Sequence, residues 1–351
     1  MPEFDIVIVG GGFCGVHVAK LLEKKLPQGY TAALIDHKEY FEFTPGVPKL
    51  VLNPSHAENI RVPFKDLFKR VHFVKGEVTK ISPKQVHTKS QSFTFRHLVI
   101  ASGVAYPIGV KSTGVYTLKN GDEVRKFHDA LQLAKSVVIV GGGLVATELA
   151  GELVTKTDKK VIMIEPGTRL LCRNAERASA WVSHYLSKRG CKILYGERAV
   201  KHEKGAIVTE RGTKIPADLV AWCAGIKPES GFLEGALKDA VTEKKNIKVN
   251  NFLQVNGFPN IFCGGDLNSI VEEKTAQNAD RQARVIVHNL LVLLGKKNLM
   301  IVHRPRSGPL IISLGDWAGL MIYGNLVLKG FIPGILKHVV EKILLFQIKY
   351  L

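Results

Sequence analysis

Two copies of one short pattern, running from Gly10 and from Gly141, constrain this chain more than any other feature. Each is an apolar run, a glycine turn, a helical stretch and a second apolar run ending in an acid. In the first, Ile6-Val7-Ile8-Val9 reads as a buried strand. Gly10-Gly11-Gly12-Phe13-Cys14-Gly15 then fits G-x-G-x-x-G at Gly10, Gly12 and Gly15. A helix is expected from Val16 to Leu26, and a strand over 32–35 delivers Asp36. In the second, Val137 to Val140 precede Gly141-Gly142-Gly143-Leu144-Val145-Ala146, a G-x-G-x-x-A form at Gly141, Gly143 and Ala146. A helix is expected from Thr147, and the strand Val161 to Ile164 runs into Glu165.

The chemistry of such a turn is specific. Its first glycine permits the bend, the second lets a pyrophosphate approach the backbone, and the third lets helix and strand pack closely. The helix N-terminus offers free N–H groups to the phosphates, and the acid accepts hydrogen bonds from a ribose diol. Two copies predict two dinucleotide folds, and so two dinucleotides. A carboxylate at Glu165 suits a ribose 2′-hydroxyl and repels a 2′-phosphate, which points to NADH. Arg169 and Arg173 stand nearby and could soften that choice, so NADPH stays open.

At 351 residues the chain is too long for one ordinary core. Its net charge of +18 suits an anionic membrane surface, nucleic acid or an acidic protein, or is a solvated basic surface. No dedicated nucleic-acid motif accompanies the charge, and no nucleic-acid partner is expected. Cys14, Cys172, Cys191, Cys223 and Cys263 are odd in number and widely spaced, which argues against a disulfide framework or a metal site and favours a reducing compartment. The first strand starts too early for a signal or transit peptide, and Pro2 excludes the N-myristoylation pattern.

Further candidates lie between and after the two turns. Phe41 to Gly46 is aromatic and turn-rich, and either approaches a cofactor ring or simply packs. Strands are expected over Val71 to Val86, with Val78 counted among the cofactor-binding residues. The strand Phe95 to Ile100 runs into Ala101-Ser102-Gly103, small enough for a chain crossing under a cofactor. Cys223-Ala224-Gly225-Ile226-Lys227-Pro228 follows the strand Leu219 to Trp222 as a turn before the return to the first domain. A buried strand over 261–263 delivers Asp266 beside glycines, read as a partner for a cofactor hydroxyl. Thr275-Ala276-Gln277 opens an amphipathic helix on which Gln277 and Arg281 share a face.

The C-terminus differs in character. A helix is expected from Gly334 to Leu351, with Ile335, Leu336, Val339, Val340, Ile343, Leu344, Phe346, Tyr350 and Leu351 on one half of its wheel. Lys337, His338, Glu341, Lys342 and Lys349 occupy the other half. No uncharged run approaches the roughly 18 residues that a spanning helix needs. A wide apolar face beside lysines fits a helix lying in a membrane interface. The alternatives are docking on the protein's own core or on the partner of a homodimer.

Taken together, the paired glycine turns, the late Gly265-Asp266 and the Thr275-Ala276-Gln277 helix resemble the two-dinucleotide-binding flavoproteins. Within that group the chain looks most like type II NADH:quinone oxidoreductases and the related ferroptosis-suppressor (apoptosis-inducing-factor-like) oxidoreductases. The more specific features are Phe41 to Pro45, Gly141-Gly142-Gly143 followed by Glu148, Ala224-Gly225-Ile226, Ala276-Gln277 and the amphipathic tail. The resemblance implies an α/β protein in which a second Rossmann-like domain, 111–245, is inserted in a first, 1–110 and 246–305, with 306–351 as a membrane-association segment. It implies non-covalent FAD at Gly10, Gly12, Gly15, Asp36 and Asp266, with Ser102 and Gly103 nearby. It implies a nicotinamide nucleotide at Gly141, Gly143, Ala146 and Glu165, with Ala224 and Gly225 also on the cofactor side.

The same resemblance places Glu148 near nicotinamide and flavin, and Gln277 near the flavin's pyrimidine edge beside a quinone. The chain departs from the pattern at Arg281, where type II enzymes carry a second glutamine; Gln282 is one residue late. The activity expected is NADH oxidation through FAD with two-electron reduction of a membrane quinone and no pumping. The protein is expected as a monotopic one on a membrane's cytoplasmic face. The alternative is a ferredoxin- or rubredoxin-reductase-like enzyme with an acidic protein partner.

Overall fold

In the computed structural model, residues 1–110, 114–203 and 205–350 are described. The expected boundary at residue 111 and the tail's last residue, Leu351, lie outside them. The main elements in chain order begin with β1 (Glu3–Val9), α1 (Phe13–Lys25), β2 (Ala32–Asp36), β3 (Val71–Lys75), β4 (Val78–Ile81), β5 (Gln85–Thr88) and β6 (Ser92–Ile100). Next come β7 (Val115–Thr117), α2 (Gly121–Leu133), β8 (Ser136–Val140), α3 (Leu144–Lys156), β9 (Lys160–Glu165), α4 (Glu176–Ser187), β10 (Lys192–Tyr195) and β11 (Leu219–Trp222). The chain closes with β12 (Gln254–Val255), β13 (Phe258–Cys263), α5 (Ala276–Leu293), β14 (Leu310–Ser313), β15 (Gly319–Tyr323), β16 (Leu326–Gly330) and α6 (Phe331–Tyr350).

Two separate sheets follow from the two copies of the pattern. The first runs β12-β13-β6-β1-β2-β3, with β4 and β5 joined at β6. Its centre is parallel, Val7 pairing with Ala33 on one side and Leu98 on the other. The second runs β7-β11-β8-β9-β10 and is parallel throughout. Strands buried on both faces read as unbroken apolar runs, which is why β1 and β8 stood out in the sequence. The chain leaves the first sheet after β6 and returns to it at β12, so the second sheet is inserted in the first. The two crossing segments, Val104–Ala105 and Lys227–Pro228, pair antiparallel with each other.

Helices α1 and α3 both start earlier than the sequence suggests, at Phe13 and Leu144 rather than Val16 and Thr147. The cause is that Gly12 and Gly143 are themselves the N-caps, so the third small residue of each turn lies inside the helix. Gly15 has to be there, because any side chain would collide with the Gly10 carbonyl. On the alternatives left open for Phe41 to Gly46, Phe41 and Phe43 are fully buried and pack edge-on against Phe13, with ring centroids 5.1 and 5.6 Å apart.

The C-terminal hairpins β14–β16 form an antiparallel sheet against which α6 packs. This helix starts at Phe331, three residues before the expected Gly334, and it is oriented opposite to an ordinary surface helix. Lys337 and Glu341, from the polar half of its wheel, are buried against the body of the protein. Ile332, Ile335, Val339, Ile343, Phe346 and Tyr350 face outward, Ile332 being 75% exposed. Among the described residues no helix is long and apolar enough to cross a membrane.

Candidate functional site

The two glycine turns are built alike, and their surroundings repeat with them. Gly10 has φ +103° and Gly141 φ +111°, left-handed conformations that glycine adopts without strain. A side chain at Gly10 would strike Ala101 and Ser102; one at Gly141 would press on Cys223 and Ala224. Each of those neighbours is followed by another left-handed glycine, Gly103 at +75° and Gly225 at +80°. The tripeptides Ala101-Ser102-Gly103 and Cys223-Ala224-Gly225 are therefore equivalent walls of two equivalent sites.

Gly12 and Gly143 meet the opposite surroundings. A Cβ built on either would have no atom within 4 Å. Both cap their helices without a side-chain hydrogen bond, and neither helix has an acid in its first turn. Elsewhere the chain caps in the usual way: Asn120 accepts from the Glu123 N–H at 2.9 Å, and Thr275 from the Asn278 N–H at 3.3 Å. Uncapped N–H groups facing open space beside a side-chain-free cradle are what a pyrophosphate requires.

Asp36 sits at the end of β2 and is buried. Its Oδ2 accepts from the Gly11 N–H at 2.6 Å, and its Oδ1 from the Lys38 N–H at 2.8 Å. Oδ1 also lies 3.3 Å from His37 Nδ1, while Oδ2 keeps a lone pair for a ribose hydroxyl. Glu165, at the end of β9, accepts instead from the Gly167 N–H at 2.7 Å. A strap that the sequence did not reveal lies over the second turn. Leu171 holds φ +48°, unusual for a branched side chain, and donates its N–H to the Gly142 carbonyl at 2.8 Å. Arg169 holds the strap by donating to the Cys172 and Asn174 carbonyls at 2.8 and 2.9 Å.

Asp266 stands in the turn after β13. Burial pushes its carboxyl above the usual carboxylate range, with Lys274 opposing, and among the described residues it makes no hydrogen bond of its own. It is an open acceptor, as a cofactor-hydroxyl partner must be. Ala146 is fully buried in α3, while Val78 is half-buried on β4 opposite Thr88 and packs on the core instead of standing in a glycine turn.

Glu148 lies one turn into α3 and is buried. Its Oε1 accepts from Lys337 Nζ of α6 at 3.0 Å and from the Ser313 N–H at 3.3 Å. Burial works against the Lys337 charge, but Glu148 and Glu341 more than reverse this and hold its ammonium above the ordinary range. Glu341 in turn pairs with Lys49. Gln277 and Arg281 both face the segment before β14. Gln277 donates to the Pro309 carbonyl at 3.1 Å, and Arg281 to the Arg306 carbonyl at 3.0 Å and Asn278 Oδ1 at 2.9 Å. The structure thus brings the tail of the chain against all three residues expected to be catalytic.

All five cysteines are free. Burial pushes the Cys14 and Cys223 thiols up to about 12, and Cys263 further still, so none of these three is a ready thiolate. Among the described residues no group of three or more His, Cys, Asp or Glu side chains is placed to hold a metal.

With this geometry in place, comparison with known proteins gives the family. The model of the pyridine nucleotide-disulphide oxidoreductases matches residues 4–283. The chain belongs to that family. It is an FAD- and NAD(P)H-dependent oxidoreductase, related to the ferroptosis-suppressor and apoptosis-inducing-factor types. It is 29% identical to apoptosis-inducing factor homolog B of Dictyostelium discoideum, over 90% of this chain and 88% of that one. It is 27% identical to ferroptosis suppressor protein 1 of Taeniopygia guttata, over 88% of this chain and 86% of that one. Its fold is shared with the sulfide:quinone oxidoreductase of Aquifex aeolicus (TM-score 0.86, 20% identity, 99% and 92% covered). It is shared also with NDH2 of Plasmodium falciparum, solved in complex with NADH (TM-score 0.83, 17% identity, 99% and 97% covered).

Proposed function

We propose that the chain is an NADH:quinone oxidoreductase seated on a membrane surface. When bound, FAD supplies a two-electron relay that takes hydride from the nicotinamide and delivers the electrons to an acceptor. The chain's own residues hold and orient. Residues 1–110 and 246–305 form the FAD unit, in which the uncapped end of α1 faces the pyrophosphate. Asp36 takes a ribose and Asp266 a second cofactor hydroxyl, with Gly10, Gly12, Gly15, Ser102 and Gly103 clearing the path. Residues 111–245 form the nucleotide unit, with Gly141, Gly143, Ala146, Ala224 and Gly225 around the pyrophosphate and Glu165 at the ribose. Arg169 is committed to its strap and not turned to a 2′-phosphate, which supports NADH over NADPH. Glu148, Gln277 and Arg281 border the reacting region.

One observation carries the membrane and quinone part of this reading. The tail helix turns its charged side inward, onto Glu148, and its apolar side outward. Buried Lys337 and Glu341 leave a stripe from Ile332 to Tyr350 uncovered, extended by Trp317, which is 67% exposed and stacks on Phe331. Lys342 and Lys349 flank the stripe and stay exposed. An apolar stripe rimmed by lysines suits insertion between anionic headgroups, where a hydrophobic quinone is concentrated. Similarity in fold to a sulfide:quinone oxidoreductase agrees with a quinone acceptor, while the protonated buried thiols argue against the sulfide half of that reaction.

Anaerobic stopped-flow tests the proposal. NADH should bleach the flavin absorbance, and a short-chain quinone should restore it quickly. Bleaching without recovery would replace the quinone by another acceptor, an acidic redox protein first. Absence of bleaching with either nucleotide would remove the assigned reaction.

A further inference from the structure

Gln282 is 1% exposed in the middle of α5, a place where an apolar side chain would serve packing equally well. Its amide is instead engaged on both the oxygen and the nitrogen. Oε1 accepts from the Gly265 N–H at 2.7 Å and from Asn268 Nδ2 at 2.7 Å. Nε2 donates to Glu272 Oε1 at 2.5 Å. Donors on one side and a carboxylate on the other fix which way the amide points. Glu272 is itself held, since His303 Nε2 lies 3.1 Å from both of its oxygens, and both side chains are almost wholly buried. His303 is anchored by its backbone N–H, which donates to the Asn251 carbonyl at 2.7 Å.

Both groups gripped by Gln282 belong to one short segment. Gly265 and Asn268 bracket Asp266, and Gly265 is in the left-handed region at φ +80°. Gln282 is therefore the link from α5 to the turn that presents Asp266, while the Asp266 carboxyl itself makes no hydrogen bond among the described residues. Satisfied buried polar networks specify one geometry, and losing a member leaves the others unpaired.

We propose that Gln282 is a positioning residue for Asp266, set in turn by the Glu272–His303 pair, so that three buried side chains outside the glycine turns tune FAD affinity. The inference rests on the assignment of FAD to the first unit. It acts through the aim of one carboxylate, not through contact with the cofactor.

The test is FAD binding to the apoprotein, followed by flavin fluorescence, beside the thermal unfolding of each apoprotein. Asp266→Ala gives the size of the effect and checks the assignment. Q282L should weaken FAD binding at least tenfold, close to Asp266→Ala. Its apoprotein should melt within a few degrees of a control, Ile286→Val, on the same helix. Glu272→Gln, which keeps an acceptor for both neighbours, should restore most of the affinity that Glu272→Leu loses. FAD affinity in Q282L within threefold of the wild type, while Asp266→Ala still weakens it, would overturn the relay and leave the site intact. Equal loss of FAD affinity in Q282L and Ile286→Val would also overturn it, by showing a mere packing defect. If Asp266→Ala bound FAD normally, the site assignment itself would fall, and the relay with it.

Discussion

Lys337 and Glu148 meet at 3.0 Å although 189 residues separate them, and both are almost excluded from water, at 9% and 7% exposure. One belongs to the tail helix α6 and the other to α3, the helix that follows the second glycine turn. Removing one member of such a pair strands a buried charge, which typically costs about 3–5 kcal/mol. Lys337→Met should therefore lower unfolding stability by roughly that amount. Lys337→Met combined with Glu148→Leu should recover most of it, because both charges then disappear together. Urea titrations of Lys337→Met, Glu148→Leu and the double variant beside the wild type give the comparison directly. A double variant that costs as much as the two single variants added together would mean that the contact carries no coupling.

The same helix makes a separable prediction about its outer side. Ile343 is 51% exposed and contributes to the uncovered stripe without touching the ion pair. Burying a side chain of this size contributes about 1.5–3 kcal/mol. Ile332→Asp with Ile343→Asp should therefore reduce binding to anionic liposomes roughly 100-fold or more. NADH oxidation with a water-soluble acceptor should stay unchanged. Cosedimentation with vesicles checks the first part and a steady-state assay the second; unchanged sedimentation would detach the stripe from the membrane.

The glycine turns allow a sharper pair of substitutions. Gly12→Val starts a side chain in the cradle from a Cβ position with no protein atom within 4 Å, so the apoprotein should melt as the wild type does while FAD binding is lost. Gly15→Ala pushes its methyl into the Gly10 carbonyl, so the apoprotein itself should be destabilised by several degrees. Flavin titration and apoprotein melting separate the two outcomes. Retained FAD in Gly12→Val would show that the pyrophosphate lies elsewhere.

These turns were legible in the sequence because their requirements are local. Gly10, Gly12 and Gly15 act within six residues, and Asp36 follows at a fixed distance along one strand–helix–strand unit. The orientation of α6 was not legible. A helical wheel separates Lys337 and Glu341 from Ile335 and Ile343, but which half meets the protein depends on Glu148 and Lys49, distant in the chain. The strap was hidden for a similar reason, since nothing in Leu170-Leu171-Cys172 announces a left-handed leucine bonded to Gly142. Gln282 was seen only as a displaced glutamine, because its partners Gly265, Asn268 and Glu272 come together through the fold.

In the proposed reading, nucleotide choice turns on Glu165. The carboxylate is partly exposed at the end of β9 and is bonded to the Gly167 N–H. Glu165→Gln keeps an acceptor and removes the charge that repels a 2′-phosphate. Its kcat/KM ratio for NADPH over NADH should rise roughly tenfold, equivalent to about 1.4 kcal/mol. Arg169→Ala should raise KM for both nucleotides alike, because it loosens the strap. A ratio unmoved by Glu165→Gln would take the ribose away from this residue.

Acid stability should register Glu272. Burial raises its carboxyl, but hydrogen bonds from His303 and Gln282 and the nearby charges of His303 and Lys274 outweigh this, leaving it below its ordinary value of 4.5. A carboxyl depressed in the folded state binds its proton more readily when unfolded. Its stabilisation is thus present above about pH 4.5 and drains away as pH falls through the lower folded value. Glu272→Gln should melt below the wild type at pH 7, and the gap should narrow as the pH is taken below 4. Thermal melts across pH 3 to 7 test the sign: a gap that widened on acidification would mean the carboxyl is held above its usual range and the His303 contact does not stabilise its charge.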